Sequence, residues 1–266
     1  MTDTGLLALA SDVAVAAGEL AARLRREGVS VAATKSSPID IVTEADRAVE
    51  AMIRARLADA RPDDGFLGEE SGAEHGSSGL TWVVDPIDGT VNYLYDLPNW
   101  SVSVAVVEGE PDPATWRALA GAVAAPAFGD LYTASAGGGA FLGDRRLEVR
   151  PAVPLESALV ATGFHYTQAV RSTQAQVAGE LLSRVRDLRR TGGAAIDLAS
   201  VAAGRIDAYF EQGLHPWDQA AGALLVREAG GVVTGLDGAG PGVRMLIAGA
   251  PQTAAALDDL LQRLGA

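Results

Sequence analysis

The sequence contains no cysteine. Disulfide staples, thiolate nucleophiles and cysteine-ligated metal centres are excluded from the outset. Aromatic side chains are also scarce, at 5% of the chain, while hydrophobic residues make up 48% and Ala and Gly are abundant. The core must therefore close around small side chains rather than rings. A basic surface is missing as well: 21 Lys and Arg stand against 34 Asp and Glu, for a net charge of −13. Nucleic-acid backbones and anionic lipid repel such a chain. An anionic substrate remains accessible where bound cations reverse the local field. No uninterrupted apolar run approaches the roughly 20 residues of a membrane span. The N-terminus has no basic leader followed by a short apolar run and a cleavage site, so we expect no signal peptide and a cytoplasmic protein.

Other chemistries are missing too. The histidines, His75, His165 and His215, are scattered, and there is no H-E-x-x-H, which removes zinc as the favoured ion. Neither a G-x-x-x-x-G-K-[ST] phosphate loop nor a G-x-S-x-G nucleophile elbow occurs.

Within the 266 residues, apolar positions over 6–24 recur at helical spacing until Gly28, and residues 43–60 form a second helical stretch before Pro62. Residues 81–84 and 101–107 read as buried strands, with a loop over 108–115. From about 121 to 149, β-compatible segments alternate with Gly-rich turns, as in antiparallel hairpins. Beyond Pro151 and Pro154, strands and helices alternate: ALVATGF, a helix over 167–185, an Ala-rich helix over 194–204, IDAYFE, a helix over 219–229, VVTG, MLIAG and a closing helix over 254–264. These patterns predict an α+β first half (1–150) carrying most acidic candidates and an α/β second half (151–266).

The strongest local signal is WVVDPIDGT, residues 82–90. Pro86 should end the strand at Asp85, and Asp88-Gly89-Thr90 should turn the chain. Two carboxylates three residues apart at a strand end can converge on a hard cation. Gly89 and Thr90 would then offer backbone N–H groups to a phosphate. The same D-P-x-D-G is also ordinary turn chemistry. GEES, residues 68–71, taken alone is a solvated loop, yet one that could bring Glu69 to the same cation. In HPWDQAAGALLVREAGG, Asp218 reads either as an N-cap or as a ligand at a helix start. Lys35 reads as a surface residue, and Glu44 and Asp46 as first-turn acids complementing a helix dipole.

Taken in order, KSSPIDIVTEAD, GEES, DPIDGTVNY and HPWDQAAGALLVREAGG resemble the motifs of the inositol monophosphatase family, over residues 35–231. The resemblance implies a layered α-β-α-β-α sandwich, two or three Mg²⁺ ions, lithium sensitivity and a homodimer. It assigns Glu69, Asp85, the Ile87 carbonyl, Asp88 and Asp218 as metal ligands, with Asp85 shared between ions. It implies direct attack of water on phosphorus without a phosphoenzyme, Glu69 and Thr90 accepting hydrogen bonds from that water. Phosphate would rest on Gly89 and Thr90, and the alcohol on Asp88, the Gly193-Ala194 backbone and Glu211, with Asp218 also among the substrate contacts. Lys35, Asp46, Glu70 and His215 take secondary places, while His165 and Tyr166 either shape the pocket or merely pack.

The implied substrate is inositol-1-phosphate and related small polyol phosphates, with neither nucleic acid nor membrane as partner. A relative acting on histidinol phosphate, fructose 1,6-bisphosphate or adenosine 3′,5′-bisphosphate is the enzymatic alternative. A mainly regulatory interaction protein is the other; four buried carboxylates with no counter-charge count against it.

Overall fold

The structure, a computed structural model, describes residues 3–29, 31–34 and 41–266. Two β-sheets alternate with three layers of helices, as the resemblance implied. A two-stranded ribbon, β1 (Val31–Thr34) and β2 (Ile41–Thr43), leads into the helix α2. The first large sheet comprises β3 (Gly65–Gly68), β4 (Gly72–Glu74), β5 (Leu80–Asp88), β6 (Ser101–Glu108), β7 (Arg117–Ala125), β8 (Asp130–Ser135), β9 (Gly139–Leu142) and β10 (Arg145–Arg146). Their spatial order is β10-β9-β8-β7-β6-β5-β3-β4, and all pairs are antiparallel except β3 with β5. The second sheet comprises β11 (Leu159–Thr162), β12 (Asp187–Arg189), β13 (Ala208–Glu211), β14 (Val232–Thr234) and β15 (Leu246–Gly249), ordered β12-β11-β13-β15-β14.

Helices α1 (Asp3–Glu27) and α2 (Glu44–Ala60) cover the outer face of the first sheet. In α1, Leu6, Ala10, Val13, Ala14, Ala17 and Ala21 form a buried stripe on one helix face, packed with Trp82, Val84 and Val104. By length and composition residues 5–27 could cross a membrane, but this stripe belongs to the protein's own core. Between the sheets lie α5 (Ala194–Ala202) and α6 (Pro216–Glu228), after the short α3 (Thr90–Leu94) of the first half and α4 (Gln168–Leu182) of the second. Because both faces of α5 and α6 meet a sheet or each other, nearly all of α5 and the central stretch of α6 from Gln219 to Val226 are buried. Finally, α4 and α7 (Pro251–Leu264) close the outer face of the second sheet over Val160, Phe210 and Ile247.

The richness in Ala and Gly follows from this middle layer. A Cβ on Gly121 would lie 3.0 Å from the Ala221 Cα, and one on Gly222 would lie 2.6 Å from the Leu198 Cβ. Gly222→Ala is therefore expected to lower stability by about 1–3 kcal/mol through overpacking, despite alanine's better helix propensity. Thermal denaturation measures it.

Several element boundaries differ from the sequence expectation. Strand β5 continues through Pro86 to Asp88. Its pairing with β6 skips two residues, from Asp85 opposite Ser103 to Asp88 opposite Ser101, so the proline sits in a bulge where it needs no ladder bond. Helix α6 begins at Pro216, whose fixed φ suits the first turn. The strands β3, β4 and β12 were not anticipated. They are three or four residues long, and Gly-Phe-Leu-Gly and Asp-Leu-Arg carry little strand signal of their own.

Candidate active site

The parallel pairing of β3 and β5 brings the ends of both strands to one edge. Glu69 directly follows β3, and its N–H donates to the Val84 carbonyl at 3.2 Å, one residue before Asp85. The turn beyond it is fastened by Glu50 of α2, whose carboxylate accepts from the N–H groups of Glu70 and Ser71, both at 2.8 Å. Glu70 itself does not line the cleft.

Asp85 and Asp88 are buried at the end of β5. One Asp85 oxygen accepts from the Ile87 N–H at 3.0 Å. Asp88 reaches across to the other half of the chain: its two oxygens accept from the N–H groups of Ala194 and Ala195, at 3.0 and 2.9 Å, at the start of α5. Ser101 donates to it as well, at 3.3 Å. This carboxylate caps a helix whose dipole favours its charge. The Ala194 N–H is consequently engaged by Asp88, while Gly193 and Ala194 both line the cleft.

Gly89 takes φ +88°, and a Cβ there would come 2.9 Å from the Asn99 carbonyl, so the turn requires glycine. The Thr90 hydroxyl lies 3.1 Å from the Ile87 carbonyl and 3.3 Å from an Asp46 oxygen. Asp46 is itself buried and accepts from the Thr43 N–H at 2.8 Å, so it braces Thr90 from behind. Asp218 is the third residue of α6, not its N-cap: His215 holds that position, and its N–H donates to Asp218 at 2.6 Å. The His215 ring stacks on Trp217, centroids 4.9 Å apart. Lys35 lies outside the described residues.

These groups line one cleft of about 390 Å³, together with Gly193, Ala194, Glu211, His165 and Tyr166. Arg190 is the sole arginine or lysine among the described lining residues. Burial raises Asp85 and Asp218 well above the ordinary carboxylate range, and neighbouring acids raise them further: Glu69, Asp88 and Asp218 for Asp85, Glu69 and Asp88 for Asp218. Burial lifts Asp88 to about 6, against the opposing pull of the α5 N–H groups. On the far wall burial lifts Glu211 to about 7, opposed by the Tyr209 hydroxyl, which donates to it at 2.5 Å. Asp197 is raised to about 8, mainly by burial. Sequence reading missed Asp197, although an acid inside the apolar stretch AAIDLASVA was a signal.

The acidic set converges without closing: among the described residues no three acidic or histidine side chains are gathered tightly enough to hold an ion. The donors are all hard oxygens, and their mutual repulsion is the kind a divalent cation relieves, so the residues fit such an ion.

A model of the Inositol monophosphatase family matches residues 3–264. The inositol-1-monophosphatase of Rhizobium meliloti is 39% identical, over 99% of this chain and 98% of its own. The Nus factor SuhB of Escherichia coli is 40% identical, over 88% of this chain and 86% of its own. Among solved structures, the extragenic suppressor protein suhB of Bartonella henselae superposes with a TM-score of 0.89 at 36% identity, covering 97% of this chain and 99% of that one. Mycobacterium tuberculosis SuhB gives 0.82 at 38% identity, covering 98% and 97%.

Proposed function

The chain belongs to the inositol monophosphatase family and is a phosphoric monoester hydrolase, and from that premise we propose that it hydrolyses inositol-1-phosphate and related small polyol phosphates with Mg²⁺. The observation that carries the reading is the convergence of Glu69, Asp85, Asp88 and Asp218 on one cleft beside the Gly89-Thr90 turn. Those four carboxylates and the Ile87 carbonyl would hold two or three ions, with Asp85, which feels the other three charges, as the shared ligand. When bound, Mg²⁺ supplies an acidified water and counter-charge for the phosphoryl oxygens.

The chain's own groups do the rest. With its proton directed to Ile87 or Asp46, the Thr90 hydroxyl oxygen can accept a hydrogen bond from the attacking water, and Glu69 is the second acceptor. Backbone N–H groups of Gly89 and Thr90 hold the phosphate. Glu211, on the opposite wall, accepts hydrogen bonds from vicinal hydroxyls of the alcohol. Lithium inhibition, a homodimer and a cytoplasmic location complete the reading.

The test is phosphate release, with Mg²⁺, across inositol-1-phosphate, glycerol-2-phosphate, histidinol phosphate, fructose 1,6-bisphosphate and adenosine 3′,5′-bisphosphate. We expect the highest kcat/KM on inositol-1-phosphate; a higher value on another ester would move the specificity. The name Nus factor SuhB on the Escherichia coli relative favours a second reading, in which the chain serves a protein partner. In that case a turnover-dead variant would keep the biological role.

A pH dependence follows for Glu211, held near 7 in the folded protein. It accepts from substrate hydroxyls best as the carboxylate, so KM for inositol-1-phosphate should fall as pH rises through about 7. The substrate phosphate also titrates in this region, at about pH 6. Glu211→Gln provides the control: its KM profile should lose the Glu211 component and keep that of the phosphate.

A further inference from the structure

The polyol wall of the cleft depends on a side chain that is missing. Strands β11 and β13 run parallel, with Thr162 opposite Phe210, so the chain leaves them with Gly163 beside Glu211. A Cβ on Gly163 would fall 2.0 Å from one Glu211 carboxylate oxygen, 2.1 Å from the other and 2.2 Å from the carboxyl carbon. The carboxylate therefore occupies the volume that any other residue at 163 would fill. Gly163 is buried, and its φ is outside the left-handed region taken by Gly89, Gly192 and Gly213, so backbone geometry does not demand glycine here. On its other side Glu211 is held by the hydroxyl of Tyr209, which is fully buried beneath it.

We infer that Gly163 is a specificity-positioning residue: by leaving its side-chain volume empty, it lets Glu211 lie between Tyr209 and the β11 end with its carboxylate at the cleft wall. The inference rests on the reading of Glu211 as the acceptor for substrate hydroxyls. A methyl group at 163 would force the carboxylate out of this pose, without backbone strain and without touching Glu69, Asp85, Asp88 or Asp218.

The experiment is a mutant cycle read on two esters: inositol-1-phosphate, and phenyl phosphate, whose alcohol has no vicinal hydroxyls. Gly163→Ala should lower kcat/KM for inositol-1-phosphate about tenfold relative to phenyl phosphate, the scale of losing one charge-assisted hydrogen bond, with the loss in KM. In a Glu211→Ala background, where the volume is vacant, Gly163→Ala should not change that ratio. In a Glu211→Asp background the shorter side chain clears the methyl, and the loss should be smaller than in the wild type. An unchanged ratio in Gly163→Ala, or an equal fall in all three backgrounds, would overturn the inference. Failure of the underlying reading looks different: Glu211→Ala alone would then leave the preference between the two esters as it is in the wild type.

Discussion

Asp85→Asn is expected to abolish Mg²⁺-dependent phosphate release while raising the thermal midpoint of the metal-free protein. Both effects come from one cause. Asp85 is buried and faces Glu69, Asp88 and Asp218, so its charge is costly unless a cation balances it. Asparagine can keep the hydrogen bond from the Ile87 N–H while removing that charge. On the proposed reading Asp85 is a shared metal ligand, and its loss would remove several kcal/mol of transition-state stabilisation, a fall of about a thousandfold or more. The stability effect has a definite sign. The folded-state pKa is raised, so the stability associated with Asp85 is present in acid and lost as pH rises toward and through that value. The variant should therefore gain most at neutral pH or above and little in acid. A gain of about 1 kcal/mol would appear as roughly 2–4 °C for a chain of this size. Steady-state kinetics with Mg²⁺ and thermal melts in EDTA across pH measure the two halves of the prediction.

Asp88→Ala is expected to lose activity as completely and to lower stability instead. Asp88 is a buried acid too, but each of its oxygens accepts one N–H, from Ala194 or Ala195, which open α5 from the other half of the chain. Removing the carboxylate leaves those buried donors unpaired and α5 without its cap. The expected cost is roughly 2–4 kcal/mol, reduced somewhat by relief of the buried charge. Asp88→Asn should fall between, since an amide oxygen can satisfy one of the two N–H groups while its NH₂ opposes the other. On the proposed reading, two aspartates three residues apart share a role in turnover and are expected to have opposite effects on stability. Melts of the variants in EDTA that moved in the same direction would refute this division.

What was legible in the sequence was chemistry carried by short segments. The strand ending in Asp-Pro-Ile-Asp-Gly-Thr and the helix start at His-Pro-Trp-Asp hold their carboxylates by local geometry, so each was a visible candidate, and their order along the chain decided between turn or cap and ligand. The periodicity on α1 and the Ala-rich run of α5 were readable as helices in the same way, whereas the layering came from the family resemblance. What escaped depends on partners far along the chain. The bond from Ala194 to Asp88 spans 106 positions, so nothing near Gly193 announces that the amide is taken. The grip of Glu50 on the turn after Glu69 is another such contact, as is the fit of Gly163 against Glu211. Short strands such as β3 and β12 escaped because their pairing partners, not their residues, make them strands.

The most direct test of the account is phosphate release from inositol-1-phosphate by the wild-type protein, measured with Mg²⁺ and again with excess EDTA. We predict turnover with Mg²⁺, none with EDTA, and recovery when Mg²⁺ is restored. Turnover that persists in EDTA, or a protein that binds Mg²⁺ and releases no phosphate, would contradict it.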